Sequence, residues 1–453
     1  MTTDRSDVAT RARRRTAIRL LPFVMLMYLV CLIDRNNVAF ANLRMSADLG
    51  FADRVYGLGV GMFFIGYIVF EVPGAIIVER WSARKWLARI LISWGLITIL
   101  NGFIHTSGQF YVVRLLVGIS EASFGPGLIV YLTHWFRESD RAKAIGFFFI
   151  GGPAASSAGG IIAASLLGVR WLGIVGWRWL FILEGIPAIL IGAVTLFYLT
   201  DWPREARWLP EDEREWITRE LAAETAAKKR VRDYSIWEAF RDRRISLLTL
   251  AWLLGLTAAQ STGYWLPTFI KRISSLPDTR VALLGSLPGL VGIAALVVNG
   301  WHSDRTGERK WHAVLPLFCA GVSFLLVLRT GGHFAITMTL FSLAVGMWYS
   351  YQPVFWTMPT MILCESAAAA SLGLINSVGQ LGGLAGPYAV SYLNEKTGGL
   401  QGAFVFIGVT YLLSVLVLSC VKIDSPVVAT SVRMLRRPAA EESLGFASGH
   451  KES

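Results

Sequence analysis

Gly300-Trp-His-Ser-Asp304-Arg305-Thr-Gly307-Glu-Arg309-Lys310 is a strongly charged turn set between two long apolar runs, 281–301 and 311–328. Its glycine permits a tight approach of helices, and its acid can pair with a basic group or helix end on a neighbour. A weaker copy, Glu79-Arg80-Trp-Ser82-Ala-Arg84-Lys85, follows the apolar run 57–78. Asp304 and Glu79 lie 225 positions apart in a chain of 453. An acid–arginine turn recurring at nearly half the chain length predicts a duplicated set of apolar helices.

Working outward, apolar runs fall at 20–42, 57–78, 86–105, 109–135, 144–168, 177–199, 245–270, 281–301, 311–328, 334–363, 368–393 and 403–421. A span needs about 20 residues, so twelve use roughly 240 and leave room for loops. Composition agrees: 54% of residues are hydrophobic, 16% are charged and mean hydropathy is +0.51. A soluble protein carries about 25% charged residues. Water-soluble domains and disordered chains are therefore excluded. The expectation is an all-α membrane protein with twelve transmembrane helices in two pseudo-symmetric six-helix bundles. The N-terminal bundle occupies 1–199, a cytoplasmic loop 200–244, the C-terminal bundle 245–421 and a tail 422–453.

The net charge of +12 is explained by its placement. With the N-terminus inside, the inner connections carry 32 Lys and Arg and the outer ones 9. By the positive-inside rule both termini and the central loop lie in the cytoplasm. Nucleic acid is therefore not an expected partner; membrane lipids are, and the chain is read as a monomer. The basic N-terminus leads into a retained first span without a signal-peptide cleavage site. Cys31, Cys319, Cys364 and Cys420 lie in or beside apolar runs with no metal or disulfide spacing. In the central loop Trp208–Ile217 reads as a short amphipathic helix with Pro210 in its first turn, within a solvated linker. The Lys228–Arg232 cluster is placed to touch anionic head groups.

Six ionisable residues fall inside spans, all in the N-terminal half: Asp34, Arg35, Glu71, Arg114, Glu121 and Glu184. Facing lipid, Asp34, Arg35 and Arg114 would cost about 2.5–3.5 kcal/mol each, so they must face the interior or a cavity. At 1.5 Å per residue, Asp34 lies about 21 Å along the first span and Arg114 about 8 Å into the fourth from the other side. Similar height suggests an Asp34–Arg114 ion pair, leaving Arg35 free for an anion. Glu121, two turns from Arg114 and near the midplane, is the candidate proton carrier, against the alternative of a permanent Glu–Arg pair. Glu71 and Glu184 read as structural acceptors. Tyr67, Gln260, Trp356, Asn376 and Gln380 are neutral candidates at cavity depth. Gly57–Gly61 and Gly379–Gly383 read as close-packing faces.

The duplicated turn resembles the signature loop of the major facilitator superfamily, which implies the major facilitator fold. It also implies that Glu79, Arg80, Arg84, Gly300, Asp304, Arg305, Gly307 and Arg309 govern switching between inward-open and outward-open states. Further stretches resemble the anion:cation symporter family within it: Leu32-Ile-Asp34-Arg35-Asn36-Asn37, Phe63-Phe-Ile-Gly-Tyr67 with Glu71-Val-Pro73, Arg114-Leu-Leu-Val-Gly-Ile-Ser-Glu121, Gly176-Trp-Arg-Trp-Leu-Phe with Glu184-Gly-Ile-Pro187, Trp265-Leu-Pro267 and Gly373-Leu-Ile-Asn376. The match is nearest the bacterial tartrate, 4-hydroxyphenylacetate and phthalate permease branch and runs from about 18 to 421. It implies proton-coupled uptake of a small organic anion across a bacterial inner membrane, with Asp34 and Glu121 in proton coupling. Arg35 and Arg114 would hold the substrate carboxylate or act as an ion-pair switch, and Tyr67, Trp356 and Asn376 would line the pocket. Sugar-acid members carry polar residues where this chain has Pro353 and Val354, and its fifth span has Gly151-Gly152-Pro153 without a glutamine. A smaller or more apolar carboxylate is favoured.

Three other classes compete with this reading. A proton-driven exporter shares the fold, but its Gly-Pro-x-x-Gly-Gly stretch is mis-spaced here, with Gly152-Pro153 far from Gly159-Gly160. A transporter-like sensor would keep the bundle without coupled movement. The histidines lie at span ends or in loops, so neither an enzyme nor a metal site is expected. No cofactor is expected beyond the proton as coupling ion.

Overall fold

A computed structural model describes residues 2–228, 241–362 and 365–422. The helices are α1 (Thr2–Leu49), α2 (Asp53–Arg80), α3 (Ala83–Asn101), α4 (Ser107–Glu121), α5 (Phe124–Thr133), α6 (Glu138–Leu166), α7 (Gly176–Tyr198) and α8 (Glu211–Lys228). They continue as α9 (Arg243–Ile273), α10 (Asp278–Gly285), α11 (Leu287–Thr306), α12 (Lys310–Val327), α13 (Phe334–Ile362), α14 (Glu365–Thr397) and α15 (Gln401–Ser419). A two-stranded antiparallel hairpin, β1 (Arg170–Trp171) and β2 (Ile174–Val175), precedes α7. Among the described residues, ten segments are long and apolar enough to cross a membrane. With α4–α5 and α10–α11 each counted as one span, α3 and α14 bring the number to twelve; they carry Arg84, Lys85 and Arg89, and Glu395 and Lys396, at their ends.

Two spans are broken. The fourth ends its first helix at Glu121, passes through Ser123 at φ 68°, and restarts at Phe124. A non-glycine residue at positive φ is uncommon. Here Pro126 sits in the first turn of α5, where a missing N–H costs nothing. The eighth span breaks at Ser286, with Pro288 opening α11.

The N-terminus differs most from the expectation. The helix does not start near residue 20: α1 runs on to Thr2. Ala12 and Thr16 are buried against α8 in a core with Leu20, Leu209 and Ile217. Glu213, 1% exposed, forms ion pairs with Arg15 at 3.0 Å and with Arg11 at 3.7 Å, and Arg11 also donates to Asp212 at 3.0 Å. Arg13 pairs with Asp140 and Arg137 donates to Glu220 at 3.1 Å. The central loop therefore packs as a docked helix, longer than Trp208–Ile217, with Pro210 just ahead of its first residue. Lys229–Arg232 and 423–453 lie outside the described residues.

Within the first half, α3 packs on α7 and α2 on α4; in the second, α9 packs on α14, and α13 on α11 and α12. The halves meet where α2 lies on α14, α1 on α9, and α6 on α10 and α11. Close approach at α2–α4 depends on Gly118, where a Cβ would stand 2.0 Å from the Phe63 carbonyl oxygen. A backbone atom cannot give way as a flexible side chain can. Gly118→Val is expected to destabilise the detergent-solubilised protein by more than about 3 kcal/mol or to prevent a monodisperse preparation. Gly125→Ala, with nothing within 4 Å, is expected to stay within about 0.5 kcal/mol of wild type. Thermal unfolding of both variants is the check.

Candidate functional site

The break in the fourth span leaves Glu121 as the last residue of α4, fully buried. Its Oε1 accepts from Arg35 Nε at 3.0 Å, from Arg35 Nη2, and from the Cys31 thiol at 3.2 Å. Cys31 and Arg35 are one turn apart on α1, so both reach the same oxygen. Glu121 Oε2 is buried without a partner.

Arg35 is therefore not free, as the sequence suggested. It holds Glu121, with its guanidinium carbon 5.4 Å from the Phe63 ring centroid and 5.2 Å from that of Tyr67. The expected Asp34–Arg114 pair is also replaced. Asp34, 3% exposed, accepts from Trp94 Nε1 at 2.7 Å, Thr98 Oγ1 at 3.1 Å and Asn37 Nδ2 at 3.0 Å. Those donors turn it toward α3 within the first half. Arg114, 2% exposed, keeps Nε and Nη2 without hydrogen-bond partners. Its guanidinium lies 5.0 Å from the centroid of Phe63, beside the Tyr264 and Tyr56 side chains. Two guanidiniums thus lie near Phe63: Arg35 is in contact with a carboxylate and Arg114 is not. A buried cation with no carboxylate in contact can take an anion.

Polar contacts joining the halves gather near the face opposite α8. Asn42 donates to Thr268 at 3.1 Å and the Tyr56 hydroxyl to the Tyr264 carbonyl at 2.7 Å. Arg272 pairs with Asp53, which also accepts from Asn394 at 3.3 Å. The Arg54 amide donates to Glu395 at 2.9 Å, and Ser157 to the Ser286 carbonyl at 3.0 Å. Deeper, Glu71 accepts from Asn376 at 2.9 Å and Ser377 at 3.4 Å, so Asn376 bridges the halves. Glu71 is an acceptor, as expected, but of side chains on α14. Trp356 is half-buried, its ring edge-on to Trp252 at 4.8 Å, and Gln260 is half-buried on α9. Gln380 Oε1 is buried without a partner.

The chain matches the Major Facilitator Superfamily model over residues 24–387. It belongs to the Major Facilitator Superfamily. A protein of Agrobacterium vitis named "Putative tartrate transporter" is 38% identical over 413 residues, 91% of this chain and 95% of that one. The "Quinolone resistance transporter" of Acinetobacter baumannii is 36% identical, covering 89% and 93%. Among solved structures, a bacterial homologue of the human lysosomal transporter Spinster superposes with a TM-score of 0.71 at 17% identity, covering 90% and 95%. The xylose transporter XylE from E. coli gives 0.69 at 15%, covering 92% and 99%. The chain is thus a multi-pass membrane transporter of the major facilitator fold and not an enzyme.

In this superfamily member the two charged turns are built differently. In the second, Asp304 pairs with Arg309 at 2.7 Å, Arg309 also donates to Ser303 at 2.8 Å, and Gly307 takes φ 69° to close α11. Arg305 lies over Trp301 at 5.5 Å, and Gly300 has open space at its Cβ position. In the first, Ser82 caps α3, and Asp201 at the end of α7 accepts from Ser82 at 2.7 Å and from the Arg84 amide at 2.8 Å. Arg80 is exposed, and the Glu79 side chain lies outside the described residues.

The sequence reading had missed Cys31, Trp94, Thr98 and Tyr264. Only the helix break left a signal, in Gly125-Pro126-Gly127. Arg35→Lys keeps the charge but loses the planar fork that presents two donors to Glu121. Losing one charge-assisted hydrogen bond, worth about 1.5–3 kcal/mol, is expected to lower substrate uptake at least tenfold in reconstituted vesicles. Uptake at the wild-type rate would show that a point charge suffices.

Proposed function

We propose that this transporter carries a small organic anion, a mono- or dicarboxylate, into the bacterial cytoplasm together with protons. The observation behind this reading is Arg114: deeply buried, with two guanidinium nitrogens unpartnered, and sharing the Phe63 ring with the Arg35–Glu121 pair. The substrate carboxylate takes the Arg114 guanidinium and competes with Glu121 for Arg35. Protonation of Glu121, at the unpartnered Oε2, releases Arg35 to the substrate. Asp34 serves the same coupling from behind Arg35, and Tyr67, Gln260, Trp356 and Asn376 line the path. The tartrate-transporter name of the 38%-identical relative supports a carboxylate.

The halves 1–199 and 245–421 move as the two bodies of alternating access, with both termini in the cytoplasm. The contacts around Asp53, Arg272 and Glu395 then close the outer face, and the charged turns at 79–85 and 300–310 lie at the inner one. A monoanion moving inward against an inside-negative potential costs about 2.3 kcal/mol per 100 mV. One proton cancels that charge; a dianion needs two.

A second reading is export, supported by the 36% identity to a quinolone resistance transporter. Vesicles loaded with a pH-sensitive dye separate the two. Symport predicts that an added carboxylate carries protons into the vesicle; export by exchange predicts that an added drug releases them. Glu121→Gln is expected to abolish gradient-driven accumulation while labelled substrate still exchanges. Undiminished accumulation would remove Glu121 from the coupling. Arg114→Gln is expected to abolish both.

A further inference from the structure

Glu184 takes no part in the anion site, yet it is 7% exposed within a span. α3 and α7 touch so closely that a Cβ on Gly185 would stand 2.6 Å from the Gly95 carbonyl oxygen. α7 also packs on α1, and there Glu184, the preceding residue, neighbours Asp34 and the Asn37 side chain. Both Glu184 oxygens are buried without a hydrogen-bond partner, and the Asn37 amide beside them donates to Asp34 at 3.0 Å. Asp34 also holds Trp94 and Thr98 of α3. The charged groups near Asp34 are Glu121 and Arg114 of α4 and Glu184 of α7; Asp34 is the one charged group facing Glu184 among the described residues. Neither carboxyl forms an ion pair there.

We propose that Asp34, Asn37 and Glu184 form a second proton site, distinct from Glu121, in which one exchangeable proton is shared by the two carboxyls around the Asn37 amide. Two ionised carboxylates in one low-dielectric pocket repel each other, and a single proton removes the repulsion. Asp34, with three donors, is built for the ionised form. Glu184, with none, is built for the protonated one. Asp34 is the neighbour of Arg35 on α1, so a shift of α1 when Arg35 changes partner alters the donors around Asp34. The proton then passes between the carboxyls or exchanges with water. Together with Glu121 the pair gives a capacity of two protons per cycle, which matches a dicarboxylate. This coupling role rests on the proton-coupled reading above; the proton site itself does not.

Infrared difference spectroscopy on the purified full chain in liposomes, without substrate, tests the site. The carbonyl band of a protonated carboxylic acid in an apolar setting is expected in wild type at neutral pH. It should disappear in Glu184→Gln and remain in Glu121→Gln. No such band in wild type, or an unchanged band in Glu184→Gln, overturns the proposal. Should Glu184→Gln fail to fold, Asp34→Asn serves: the band is expected to shift in frequency, and an unshifted band overturns the pairing. In transport, the proton-to-anion ratio is expected to fall by one in Glu184→Gln, and an unchanged ratio overturns the coupling role. If the spectra behave as expected while wild type takes up no carboxylate, the anion reading fails and the proton site stands.

Discussion

A guanidinium inside a bilayer must find a counter-charge or water, and this protein sets two of them against one phenylalanine ring. Arg35 takes the carboxylate that the chain supplies, Glu121; Arg114 is left with two unpartnered nitrogens. Much of the surrounding architecture serves that imbalance. The fourth span breaks immediately after Glu121, freeing the end of α4 from a continuous helix. Gly118 lets α4 lie against the Phe63 backbone, so that the ring meets Arg114 of α4 as well as Arg35. Cys31 and Arg35 fall on one face of α1, so three donors converge on one oxygen and the other is left bare.

The membrane class, the twelve spans and the duplicated turn were legible because each depends on local composition. So was the burial of Asp34, Arg114 and Glu121 and the placement of Arg35 away from lipid, since such groups are too costly to face it wherever the helices sit. The pairing was not legible. Position along a helix gives height in the membrane, and Asp34 and Arg114 were matched on height alone. Which side of the bundle a residue faces depends on how the helices are arranged around one another, and Asp34 turns to Trp94 and Thr98. The break at Ser123 left only the trace of Gly125-Pro126-Gly127, because a serine at positive φ has no compositional signature of its own. At the N-terminus, arginines read from the sequence as a topology signal also build structure. Arg11 and Arg15 grip the buried Glu213 where α1 runs on to Thr2, about five turns beyond the expected start.

The seal between the halves has an energetic character of its own. Its ion pair Asp53–Arg272 is partly exposed, with side chains 21% and 38% accessible. Such pairs contribute about 0–1 kcal/mol. Cohesion there comes instead from helices in near contact. A Cβ on Gly57 would stand 2.5 Å from Ser391 Oγ, and one on Gly160 would stand 2.8 Å from the Ala282 carbonyl oxygen. Packing of this kind is strong only while the surfaces stay matched, since dispersion falls away within an ångström of separation. The buried cross-link is different: Glu71 is 4% exposed and holds α14 through Asn376 and Ser377. Separating the halves at the seal would remove contacts that are cheap to resolvate, whereas parting Glu71 from Asn376 would strand a carboxylate. Under the alternating-access proposal, a rocking motion that kept α2 and α14 joined at Glu71 while the helices parted near Gly57 would satisfy both constraints, with Glu71 as a pivot.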